Sequence, residues 1–172
     1  MTDTLGAQQD GDDDGLSARR SLGSAVGAEV YVRRKLTRRV GGFLSYTFSR
    51  SMRSFGRDRF PSAFDRTHVA NAALSFDLGR NWRAGTRFTF YTGIPKQQRS
   101  DGFVTSPHTL NPPRDPAFYR LDLRFEKRWV YSPTVYLSFI AEIMNATLNK
   151  EVLAGESIGP VTIPSFGAEI GF

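Results

Sequence analysis

From Gly23 onward, apolar and polar positions alternate one by one in a series of runs, each closed by turn residues. Period two is the signature of a strand with two different faces. Seven strands are expected, near 26–36, 40–51, 67–78, 82–93, 117–130, 134–145 and 163–172. The fifth is the clearest. Tyr119, Leu121, Leu123, Phe125 and Trp129 share one face; Arg120, Asp122, Arg124, Glu126 and Arg128 share the other. In the fourth, Trp82, Ala84, Thr86, Phe88 and Phe90 oppose Arg83, Gly85, Arg87 and Thr89. The sixth is weaker, because its second face includes Ile140 and Met144. No segment reads as a helix.

The connections alternate too. Thr37-Arg38-Arg39, Gly79-Arg80-Asn81 and Tyr131-Ser132-Pro133 are short; the stretches near 52–66, 94–116 and 146–162 are long and rich in Pro, Gly, Ser and Arg. Short turns at one end and long loops at the other is the organisation of outer-membrane β-barrels, with the short turns periplasmic. Strands of about 9–11 tilted residues suffice to cross a bilayer. No apolar run is long enough for a transmembrane helix. Seven is an odd count, whereas single-chain bacterial barrels are even, and an unpaired edge is not tolerated in hydrocarbon. The fold class expected is therefore all-β, an antiparallel up-and-down transmembrane β-barrel portion that needs further strands. Residues 23–172 form that portion, and the acidic stretch 1–22 reads as a flexible extracellular loop or tail.

On this reading Arg83, Arg87, Arg120, Asp122, Arg124 and Glu126 face a lumen, and Trp82, Tyr91, Tyr119, Trp129 and Tyr131 form aromatic girdles at the two interfaces. Lys127 is the exception, since its parity points it towards lipid. It lies near the short-turn end, where a long side chain reaches back to water.

Two resemblances sharpen the picture. Ser165, Gly167, Ile170 and Phe172 resemble the C-terminal insertion signal of outer-membrane barrels, which implies the barrel-assembly machinery and outer-membrane lipid as partners. Further stretches are similar to the C-terminal part of TonB-dependent outer-membrane receptors. These are Gly27 to Val30 with Arg33-Arg34 and Leu36-Thr37, Leu44 to Ser51, Phe64-Asp65-Arg66-Thr67-His68, Trp82-Arg83-Ala84-Gly85 with Tyr91-Thr92-Gly93-Ile94-Pro95, Tyr119 to Arg124 with Glu126-Lys127, and Asn145 to Asn149. The resemblance implies about seven C-terminal strands of a barrel of about 22, in the outer membrane of a Gram-negative bacterium. It also implies a role in uptake of a siderophore-like or vitamin-like nutrient. The plug domain and remaining barrel strands would be partners, and TonB only through an N-terminal part. The start of the chain carries no secretory signal pattern, plug or TonB box, so a fragment is expected.

Composition and the remaining candidates change this little. The net charge is +6, but the basic residues are spread among strands and loops, so no nucleic-acid partner is expected. The absence of cysteine removes disulfides, thiolate metal sites and a thiol nucleophile. No nucleophile elbow, phosphate loop or paired-carboxylate motif is present, and neither enzyme activity nor a cofactor is expected. Gly41-Gly42 precedes no helix and is no nucleotide fingerprint. His68 and His108 read as loop or interface residues rather than a metal pair. Asp10, Asp12, Asp14 and Gly15 match half a calcium loop, but Ser21 stands where a bidentate Glu is required. Two alternatives remain. One is a small independent barrel with a structural or adhesion role, which needs an eighth strand from 1–22. The other is a soluble β-sandwich binding module.

Overall fold

A computed structural model describes residues 21–37, 39–55, 57–96, 98–100, 103–105 and 109–172. Its elements are β1 (Ser21–Thr37), β2 (Val40–Phe55), β3 (Asp58–Pro61), β4 (His68–Gly79), β5 (Trp82–Tyr91), β6 (Gln98–Ser100), β7 (Phe103–Thr105), β8 (Phe118–Val130), β9 (Tyr136–Met144), β10 (Glu151–Leu153), β11 (Glu156–Ile158) and β12 (Ile163–Gly171). The described chain is all-β. Its main sheet is an antiparallel meander in the order β1-β2-β4-β5-β8-β9-β12, with β3 added to the far end of β2. These seven long strands are the seven alternating runs of the sequence.

The short connections are tight because local residues close them. Arg80 and Asn81 both have positive φ, 51° and 61°, between the paired residues Gly79 and Trp82. That is the conformation of a two-residue hairpin loop matching strand twist. Asp77 fixes the approach by accepting from the Gly79 N–H at 2.9 Å. At the other end the chain is more ordered than its Pro- and Gly-rich composition suggests. β2 runs on past residue 51 and pairs with β3, while β6–β7 and β10–β11 form small hairpins within the other long connections. β1 begins at Ser21, inside the stretch expected to be tail. The acidic positions Asp10, Asp12 and Asp14, and His108, lie outside the described residues.

Register aligns the two faces across strands, since directly paired residues share a face. One row runs Val32–Leu44–Ala72–Phe88–Leu121, another Phe76–Ala84–Phe125–Ala141–Phe166. On the reverse face, Asp77–Arg83–Glu126 and Arg87–Asp122 are paired rows. Extensive contact among the described strands is confined to hydrogen-bonded neighbours. Among the described residues no second strand layer covers either face. The buried apolar side chains, Phe60, Ile94 and Phe118, instead sit at the long-loop end.

Candidate functional site

The charged face is the most densely connected part of the sheet. β8 supplies alternating signs at every second position, and the pleat brings them within reach of one another. Arg120 Nε lies 3.0 Å from Asp122 Oδ1, an electrostatic approach without hydrogen-bond alignment. Glu126 is held between Arg124 at 3.6 Å and Arg128 at 3.3 Å, and Arg124 also pairs with Glu142 on β9. Arg128 Nε donates to Ser138 Oγ at 2.9 Å, and its guanidinium lies 4.2 Å over the Tyr136 ring. The Tyr136 hydroxyl then donates to Glu169 of β12 at 2.7 Å. The network therefore crosses three strands. All six residues expected on a lumen face share this side. Arg83 and Arg87 stand directly opposite Glu126 and Asp122 but form no ion pair among the described residues. Their guanidinium groups are exposed.

The reverse face carries the aromatic residues at its two ends. Trp82 and Trp129 lie at the short-turn end, and Tyr119 at the long-loop end beside Phe90. Tyr46 and Phe48 continue that second rim. The Tyr46 hydroxyl meets His68 Nδ1 at 2.8 Å, and the Phe48 and His68 rings lie 5.5 Å apart. His68 thus joins an aromatic rim on the apolar face. Tyr131 lies in the exposed turn after β8.

Tyr91 departs from the expected girdle. It pairs with Phe118 and Val69, which places it on the charged face, one residue out of phase with Phe88 and Phe90. Arg66 covers its ring at 3.9 Å, and its hydroxyl donates to Glu151. The side chain that position in the strand marked as a membrane anchor instead ties the β10–β11 hairpin to β5.

Two polar clusters organise the long-loop end, and sequence reasoning missed their roles. Asp65 is almost completely buried. Its carboxylate accepts from the Ser51 N–H at 2.6 Å and from Arg114 Nη2 at 2.5 Å. Arg114 Nη1 also donates to the carbonyls of Asp65 at 2.8 Å and Gly93 at 3.1 Å. A Cβ on Gly93 would stand 1.8 Å from the Asp115 carbonyl, so only glycine permits that approach. Loops 52–66 and 94–116 are thereby clamped together at their base.

Asn145 organises the second cluster. Its Nδ2 donates to the carbonyls of Asn149 at 3.0 Å and Val161 at 3.2 Å. Its Oδ1 accepts from Thr147 at 3.0 Å and the Asn149 N–H at 3.3 Å. Its backbone N–H reaches Asp122 at 2.9 Å, which joins this corner to the charged face. The backbone sits at φ 55°, a conformation asparagine tolerates. Replacing Asn145 by Ala is expected to cost about 1–3 kcal/mol, read as a lower urea midpoint at unchanged slope. Asn145→Gly relieves the backbone but loses the same hydrogen bonds. Wild-type stability in the glycine variant would show that the side chain does not hold the loop.

Comparison with known proteins finds no matching family model, no similar curated protein and no similar solved structure.

Proposed function

We propose that this chain forms part of the wall of a membrane-spanning β-barrel enclosing a polar passage. One observation carries the reading: the polarity of the sheet is inverted relative to a sheet folded in water. On the charged face Ser138 is 0% exposed and Glu126 9%, while on the apolar face Phe125 is 50% exposed and Phe166 73%. Water-soluble monomers rarely leave a contiguous apolar surface of this extent uncovered. Acyl chains are the solvent that makes such a face favourable, and the ion-paired face then looks into water. A soluble sandwich requires a second layer over Leu121, Leu123 and Phe125, and no described strand lies there.

The edges support the same reading. β1 and β12 each pair on one side only among the described strands, and they run in the same direction. Direct closure would pair them in parallel. An antiparallel barrel needs an odd number of further strands between them. The narrower form of the proposal is a barrel segment of a TonB-dependent outer-membrane receptor, which rests on the sequence resemblance. Loops 52–66 and 94–116, held by Arg114 and Asp65, would take part in ligand capture, and Arg83 and Arg87 would face the passage or a plug.

Because the chain has no cysteine, single cysteines introduced from 119 to 126 report without background. Nitroxides at 121, 123 and 125 are expected to be accessible to oxygen in lipid. Those at 120, 122 and 124 are expected to be accessible to a water-soluble nickel chelate. Labels at 121 and 123 shielded from both reagents would mean a dry protein interior and end the proposal.

A further inference from the structure

Lys127 is the one charged residue on the apolar face of β8, and its surroundings are built rather than incidental. The register sets it beside Trp82 on β5, and Trp129 follows two positions along its own strand. The ammonium lies 5.1 Å from the Trp82 ring centroid and 5.9 Å from that of Trp129. Nζ donates to the Arg80 carbonyl at 2.7 Å, which pulls the charge towards the short turn. An ammonium carries three donors, so two remain free. Among the described residues no carboxylate comes within ion-pair distance of Lys127 or of the exposed Arg80. The nearby acids are committed elsewhere. Glu126 points to the opposite face between Arg124 and Arg128, and Asp77 caps the turn at the Gly79 N–H. The result is a fixed cation with unused donors, flanked by two indoles and bound to the backbone of a turn that carries the exposed Arg80.

We propose that Lys127, Trp82, Trp129 and Arg80 form a binding site for the headgroup of an anionic phospholipid at the short-turn end of the sheet. The inference rests on the membrane-wall reading above and adds a specific occupant to it. Tryptophan settles at headgroup depth because one edge is apolar and the other donates a hydrogen bond. A lysine at that depth lies beside lipid phosphates, and its stem covers apolar surface while its charge stays with the headgroups. The missing counter-charge is then supplied by phosphate, and the acyl chains of the same lipid lie along Phe139 and Ala141, on the apolar face next to Lys127 and Phe125. A neutral residue at 127 would complete the apolar band equally well, so a lysine held between two indoles points to headgroup recognition.

Trp82 and Trp129 are the only tryptophans in the chain, so their fluorescence reports on this site alone. The full chain is reconstituted in phosphatidylcholine vesicles containing a tenth of phosphatidylglycerol, with bromine on the acyl chains of one lipid or the other. At matched mole fraction, brominated phosphatidylglycerol is expected to quench at least about twofold more than brominated phosphatidylcholine, given the attraction of basic residues for anionic lipid. Lys127→Gln should abolish the preference, and Lys127→Arg, which keeps the charge, should retain it. Equal quenching by both lipids overturns the headgroup site and leaves the membrane wall standing. A preference that survives Lys127→Gln overturns the assignment to Lys127. Quenching by neither lipid removes the membrane reading and this inference with it.

Discussion

Replacing Arg114 by Met is expected to destabilise the long-loop end by about 3–5 kcal/mol, the usual cost of leaving a buried charge without its partner. Asp65 is 2% exposed, and Arg114 is its only ionic partner among the described residues. Removing the guanidinium also frees the carbonyls of Asp65 and Gly93, which have no other side-chain donor among the described residues. The loss should appear as protease sensitivity within 52–66 and 94–116 before the sheet itself unfolds. Asp65→Asn should cost less, because it buries no uncompensated charge, although its one amide oxygen can replace only one of the two carboxylate oxygens that accept from the Ser51 N–H and from Arg114. Combining Arg114→Met with Asp65→Asn should recover part of the single-variant loss, since the uncompensated charge is gone. If Arg114→Met left the loops as protease-resistant as the parent, the clamp would not be what orders them.

That clamp also shows where reading the sequence stops. The seven long strands were legible because alternation is a local property, repeated often enough in each run to fix both period and phase. The charged ladder Arg120 to Arg128 was legible for the same reason, and register then placed Arg83 and Arg87 on its side of the sheet. Asp65 and Arg114 stand 49 positions apart in segments without period, so nothing local marks them as partners. The short hairpins β3, β6–β7 and β10–β11 have too few residues to display alternation. Tyr91 stands at a strand end, a position that marks depth but not face. Counting from Phe88 puts it on the charged face, where Arg66 and Glu151 meet it. Asn145 was visible only within the stretch from Asn145 to Asn149 that carries the resemblance, and not as the hub of four side-chain hydrogen bonds. Those bonds reach residues up to 16 positions away across a loop.

The polarity of the two faces also sets how far a misplaced charge should hurt, and depth is the variable. On β8 the apolar face runs from Tyr119 at one rim to Trp129 at the other, which places Leu123 and Phe125 closest to the middle. An arginine on a lipid face costs about 2–4 kcal/mol at the bilayer midplane and about 0–1 kcal/mol near the interfaces. On the membrane-wall proposal, Leu123→Arg should therefore be among the most damaging single changes, lowering the folded-to-unfolded ratio in phospholipid by roughly 30- to 1000-fold. Ser75→Arg introduces the same side chain at a comparable level on the charged face, in the row of Gly85 and Arg124. It should be nearly neutral, because water and Glu142 are available there. Moving the arginine along the apolar face from 123 to 129 should shrink the penalty steeply. A water-exposed apolar face predicts no penalty at any of these positions, and a sandwich core predicts a large one without this gradient. Equal costs for Leu123→Arg and Ser75→Arg would mean that no hydrocarbon distinguishes the two sides of the sheet.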